Sequence, residues 1–190
     1  MIESTDLETC SDDKLMVRAR AGESAAFGEL VRRHQRAALR VAAVVSGSTA
    51  EAFDISQEGL VKAYQSTASY RGTGSVRSWM LRIVANEAKN EVRGRVRRLS
   101  RNDRHAGLQL RVADGVDDSV VERIEHEELI TALAKLRDED RAVLGCRFVA
   151  ELSEAETATV LGIAPGTVKS RTSRALRRLR TQMEGGSDGF

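Results

Sequence analysis

The sequence predicts an all-α fold of two small helical domains joined by a flexible linker. Three observations carry that expectation. The 190 residues hold a single proline and show little β-branched alternation, while apolar residues recur at helical steps of three and four. Charged residues make up 31% and hydrophobic residues 41%, a balance that suits helices with one wet face and one packed face. Helical periodicity lapses over residues 99–118, "LSRNDRHAGLQLRVADGVDD", where charge passes from basic to acidic. The expected division is a first domain over 11–98, a linker over 99–118 and a second domain over 119–182.

The polar residues 1–10 are expected to fray. A short helix follows from Ser11 to about Arg20 and stops at Gly22. The next runs from about Glu23 to Val45, with Phe27, Leu30, Val31, Val41 and Val45 on one face. "SGS" at Ser46–Ser48 breaks it, because glycine and serine favour turns. A third helix, from about Ala50 to Ala68, is expected to place Phe53, Leu60, Val61 and Tyr64 on one side. "SYRGTGS", Ser69–Ser75, is a loop rich in glycine and hydroxyl residues. From Ser75 a fourth helix carries Val76, Trp79, Met80, Ile83 and Val84 as its apolar stripe, and Arg82, Asn86, Lys89, Arg93 and Arg97 on another face.

In the second domain, Val121, Ile124, Leu129, Leu133 and Leu136 form a stripe that begins near Ser119. A short break at Arg137–Glu139 leads into a helix through Val149. Ser153 and Glu156 have the spacing of a capping box, in which hydroxyl and carboxylate each take an orphan N–H. That helix reaches about Leu161, Gly162 ends it, and Pro165 fits the first turn of the next, where its missing N–H costs nothing.

Composition excludes several classes. There are two cysteines, Cys10 and Cys146, with no CxxC or Cys/His spacing. Neither a structural zinc site nor a disulfide framework is indicated, and a reduced, cytoplasmic setting is expected, with Cys146 as a small buried residue. No signal peptide and no apolar run long enough to span a membrane is seen, so no membrane insertion is expected. His34, His105 and His126 are scattered, and HExxH and Walker patterns are absent. No catalytic residue, metal or cofactor is assigned, and the chain is not read as an enzyme. The net charge of +2 does not announce a nucleic-acid binder. The distribution of charge does.

The segment 153–180 reads as helix, tight turn, helix. Val168, Ala175, Leu176 and Leu179 would pack inward, while Lys169, Arg171, Arg174, Arg177, Arg178 and Arg180 project elsewhere, with Thr167 and Ser170 near the N-terminal end. That end is where a recognition helix meets base edges in the major groove. The alternative is an arginine-rich helix that closes a bundle and faces water. Upstream, Tyr64, Tyr70 and Trp79 flank the glycine loop beside Arg82, Asn86 and Lys89. Aromatics next to a positive groove suit single-stranded nucleic acid. Tyr70 is the expected base contact, and Trp79 is better placed in the core. Asp54, Gln57 and Glu58 share an acidic, amide-rich face on the third helix, either solvated or a dock for a basic partner.

Together these pieces resemble the sigma-70 family of bacterial RNA polymerase sigma factors, in its small extracytoplasmic-function (ECF) class. The resemblance rests on "LMVRARAGESAAFGELVRRH", "DISQEGLVKAY", "YRGTGSVRSWMLRIVANEAKN" and "LRDEDRAVLGCRF…LSEAETATVLGIAPGTVKSRTSRALRRLR", in that order and with that spacing. It covers nearly the whole chain and implies a region 2 domain, a linker and a region 4 helix-turn-helix. It further implies that Asp54, Gln57 and Glu58 grip the β′ clamp helices of core RNA polymerase, whose β flap would receive region 4. Tyr70, Arg71, Arg82, Asn86, Lys89 and Asn90 would read and melt the minus-ten box, with a base flipped into the loop. Thr167, Lys169, Ser170, Arg171, Ser173 and Arg174 would read the minus-thirty-five box. Promoter DNA and an anti-sigma protein are the other implied partners. A stand-alone helix-turn-helix regulator is the competing reading, but it leaves the 64–97 segment unused.

Overall fold

The hydroxyl and glycine signals in the sequence set the ends of the helices. In the computed structural model, which describes residues 7–101 and 136–184, α1 spans Asp12–Arg20 and Ser11 caps it by accepting the Lys14 N–H. Helix α2, Ser24–Ser46, ends at Gly47, which takes the left-handed conformation with φ of 69°. Helix α3, Thr49–Gln65, is capped by the Ser48 hydroxyl. A 3-10 turn at Thr67–Ser69 and the loop lead to α4, Val76–Arg101. The Ser75 hydroxyl accepts the Ser78 N–H at its start. Among the described residues there is no strand.

Helices α1 to α4 pack around Leu15, Met16, Leu30, Val41, Met80, Leu81 and Val84, all with almost no exposure. Helix α3 turns a stripe of Ala52, Ile55, Gly59, Leu60 and Ala63 inward. At Gly59 it comes so close to α4 that a β-carbon would lie 2.8 Å from the Val84 backbone. The third helix therefore differs from its expected orientation. Leu60 is buried, but Phe53, Val61 and Tyr64 are exposed, because the close approach of α3 and α4 selects small residues for the inner stripe.

The second domain consists of α5, Asp138–Leu144, which continues into a π-turn at Gly145–Val149, followed by α6, Glu154–Leu161, and α7, Pro165–Glu184. The capping box at the start of α6 is complete: Ser153 and Glu156 satisfy each other's backbone N–H. Gly162 ends α6 with φ of 70°. Val168 and Ala175 are fully buried and Leu179 packs against the core, whereas Leu176 is exposed rather than inward. Most of the expected linker and the stripe from Val121 to Leu133 lie outside the described residues, although α4 continues past residue 98 to Arg101.

The two domains share one apolar core. Residues 41–48 of α2 and its cap, "VAAVVSGS", are buried without interruption. A helix end that is apolar all round must be covered on every side. Helices α3 and α4 cover one side, and α5 with its π-turn covers the other. Gly145 lies so close to Val44 that a β-carbon there would sit 2.3 Å from the Val44 side chain. Arg141, only 3% exposed, donates to the Val44 carbonyl (3.2 Å) and lies against Gly47. Arg95 of α4 donates to the Ser46 carbonyl (2.8 Å). Two guanidinium groups thus satisfy two of the orphan carbonyls at the negative end of α2.

Candidate nucleic-acid interface

Two polar, basic helix faces stand out. On α7, Lys169, Ser170, Ser173, Arg174 and Arg177 are exposed, and their spacing puts them on one side of the helix. The opposite side is tied down: Arg171 pairs with Glu139 (3.0 Å) and Arg178 with Asp140 of α5. These ion pairs, with buried Val168 and Ala175, fix the rotation of α7 and so decide which side chains face out. Arg171 is therefore partly engaged within the protein, and Thr167 is half-buried. Arg177 joins the exposed face. It belongs there by the three-and-four step from Ser170, Ser173 and Arg174, the signal that identifies it as a further candidate.

On α4, Arg82, Asn86, Asn90 and Arg93 are exposed along one side, next to a loop in which Arg71 is also exposed. Two residues expected on this face are placed differently. Lys89 donates to the Leu161 carbonyl (2.8 Å) at the C-terminal end of α6, so the second domain covers it. Burial, with Arg93 and Arg82 nearby, lowers its pKa, and its ammonium offsets that cost by serving the end of α6. Tyr70 is 7% exposed, its ring edge-on to Trp79 at 5.5 Å, and its hydroxyl donates to the Gly74 carbonyl (2.9 Å). It is not presented for stacking on a base, because the ring completes the apolar layer that Trp79 and Met80 begin. Trp79 itself packs against the core, as its place on the stripe predicts.

The acidic face is exposed as a surface. Asp54, Gln57 and Glu58 all point outward on α3. Glu51, Asp54, Glu58, Glu87 and Glu91 line one cleft between α3 and α4. Lys62 bridges Glu87 (2.6 Å) and Glu58 (3.1 Å), and Arg95 pairs with Glu51 (2.8 Å). Exposed Phe53 and Val61 sit on the same helix as the carboxylates. Large apolar and acidic groups are thus exposed side by side on one face of α3. The amphipathic pattern of the sequence marks the acidic residues of this face but not Phe53 and Val61, since bulky apolar residues are expected inward by default.

Between the domains, Arg77 of α4 pairs with Glu156 of α6, and Arg40 with Glu151 (3.4 Å). Burial raises the Glu156 pKa, but hydrogen bonds from Ser153 and Arg77 outweigh it, so the net shift is downward. Cys146 is buried at this junction, and burial pushes its thiol up to about 12, which leaves it an inert apolar group. No group of side chains among the described residues could hold a metal ion, and no described helix is long and apolar enough to cross a membrane.

Residues 30–98 match the family model for sigma-70 region 2, and residues 126–179 match that for sigma-70 region 4. The ECF RNA polymerase sigma factor SigM of Mycobacterium tuberculosis is 34% identical over 169 residues, covering 89% of this chain and 83% of the relative. SigL of the same species is 32% identical, covering 87% of this chain and 93% of the relative. Among solved structures, CnrH in complex with the cytosolic domain of CnrY superposes with a TM-score of 0.68 at 25% identity, over 92% of this chain and 97% of CnrH. With both regions matched in order and relatives above 30% identity covered over most of their length, the chain belongs to the ECF class of sigma-70 family RNA polymerase sigma factors.

Proposed function

We propose that this chain acts by bringing core RNA polymerase to promoters with two boxes, using α7 for the upstream box and the α4 face with the Arg71–Ser75 loop for the downstream one. One observation carries the reading: two exposed basic-polar helix faces sit on two domains of the same chain, each with its back packed into the core. The first domain corresponds to about 11–98 and the second to about 119–182. On α7, Lys169, Ser170, Ser173, Arg174 and Arg177 enter the major groove, where arginine reads guanine bidentately. On α4, Arg82, Asn86 and Asn90 track the melted strand. Asp54, Gln57 and Glu58, with Phe53 and Val61 beside them, dock on the polymerase.

The packed domains are then the form held off DNA. Boxes centred roughly 25 base pairs apart lie about 85 Å apart at ~3.4 Å per pair. Helix α4, with 26 residues, is only about 39 Å long at ~1.5 Å per residue. Domains in contact cannot reach both boxes, so polymerase binding must part them, which also uncovers Lys89. Linking two weak sites then raises overall affinity. The factor has no chemistry of its own and works in the cytoplasm with the polymerase. The CnrH structure contains a second protein, and an anti-sigma partner for this chain is proposed by that analogy.

The test is reconstitution with bacterial core polymerase. The reading expects binding to core and initiation at specific start sites. Duplex DNA bound by the chain alone, with no effect on polymerase, would support an ordinary regulator instead.

A further inference from the structure

The contacts that shape the glycine loop start from the first helix. Residues 71–75 are exposed throughout, and both Gly72 and Gly74 have positive φ, at 72° and 86°. A β-carbon at either would meet nothing, so the glycines are there for backbone conformation and leave the loop little stiffness of its own. Tyr70 supplies the stiffness. Its ring is held in the core against Trp79, and its hydroxyl reaches the Gly74 carbonyl at 2.9 Å. The same hydroxyl lies 3.3 Å from a carboxylate oxygen of Asp13. A phenol has one proton to donate, so two acceptors share one donor.

Asp13 reaches that position from the first turn of α1, and α1 is firmly held. Its neighbour Asp12 pairs with Arg33 (2.9 Å) and His34 (2.6 Å) of α2, and Arg33 also pairs with Glu29 (2.7 Å). The Arg33 guanidinium donates as well to the carbonyls of Leu7, Glu8 and Cys10. An acid in a first helical turn is ordinarily explained by the helix dipole. That explanation does not account for the buried hydroxyl beside it. Burial, together with the Asp13 charge, pushes the Tyr70 hydroxyl above its ordinary value, so it stays a donor.

We propose that Asp13 is a positioning residue for the promoter-reading loop, acting through the Tyr70 hydroxyl as its second acceptor. When the loop reshapes around an entering base, Gly74 can leave the hydroxyl, and Asp13 still accepts the hydrogen bond that would otherwise be lost. A buried donor without a partner is costly, so without Asp13 the loop resists reshaping. This inference rests on the proposed role of the loop in reading single-stranded DNA.

The test uses the full chain assembled with core polymerase. The probe is the fluorescein-labelled non-template strand of a promoter found by run-off transcription with the wild-type factor. Asp13→Ala is expected to weaken strand binding about tenfold, with core affinity and duplex binding through α7 unchanged. Asp13→Asn, which keeps an acceptor oxygen, should bind close to wild type. In a Tyr70→Phe background, Asp13→Ala should add nothing. A merely structural acid would lower thermal stability equally in both backgrounds. Strand binding by Asp13→Ala equal to wild type, or losses that add in the double variant, would overturn the inference while leaving the loop's role intact. A wild-type complex that binds no strand would overturn both.

Discussion

Arg174 is the residue on which upstream-box recognition should depend most. It is exposed on the outer side of α7, and its guanidinium reaches back only to the Ser170 carbonyl (3.3 Å). Arg174→Ala is expected to cost about 1–3 kcal/mol of discrimination at one base position. A gel-shift series over substituted upstream boxes would show it, with affinity for core polymerase unchanged. Gly59 sets a packing limit of the same local kind. Gly59→Ala would drive a β-carbon to 2.8 Å from the Val84 backbone, and over-packing of this sort costs ~1–3 kcal/mol. A lowered melting temperature of the variant would confirm it. Residue chemistry was partly legible in advance. Ser153 with Glu156, Gly162 and Pro165 do what their types and spacing predict. Tyr70 and Lys89 do not, because burial depends on partners distant in sequence: Asp13 for one, Leu161 for the other.

At the scale of the element, α3 shows how far periodicity reaches. The pattern locates the helix well but turns its bulky residues the wrong way. Ala52, Ile55, Gly59 and Ala63 face inward, leaving Phe53 and Val61 beside Asp54 and Glu58. A single helix cannot announce that its neighbour comes close enough to demand small residues. If this surface docks polymerase, Asp54→Ala with Glu58→Ala should weaken core binding while leaving α7's affinity for duplex DNA intact, and Phe53→Ala should weaken core binding in the same way. Equal loss of both functions would mean the faces have been assigned to the wrong partners. The uninterrupted burial of residues 41–48 had a readable signal in "VAAVV", an apolar run with no wet side. Its covering partner, the π-turn at Gly145–Val149, had none.

At the scale of the whole molecule, the junction between domains is specific. It includes Gly145 against Val44, Arg141 on the end of α2, the Lys89 contact with the Leu161 carbonyl, and the Arg77–Glu156 and Arg40–Glu151 pairs. Gly145→Ala should push the domains apart while each keeps its own helices. Small-angle scattering would record a larger radius of gyration with an unchanged circular dichroism spectrum. The junction should also respond to acid. The Glu156 pKa is lowered from 4.5, so the pair's contribution is full above that value and is lost as pH falls through the lowered one. Scattering at neutral pH and at pH values below 4.5 would follow the opening, and Glu156→Gln should remove that pH dependence. The two-domain, all-helical plan was legible because composition and periodicity report on helices directly. The packing of one domain on the other was not, since it joins residues about a hundred positions apart through shape rather than through any repeated pattern.

The most direct test of the account is run-off transcription by core RNA polymerase, with and without this chain, on a library of DNA templates. New start sites should appear only with the chain and share two boxes at fixed spacing, with recognition of the upstream box lost in Arg174→Ala. No binding to core and no new start sites, with duplex DNA bound by the chain alone, would contradict it.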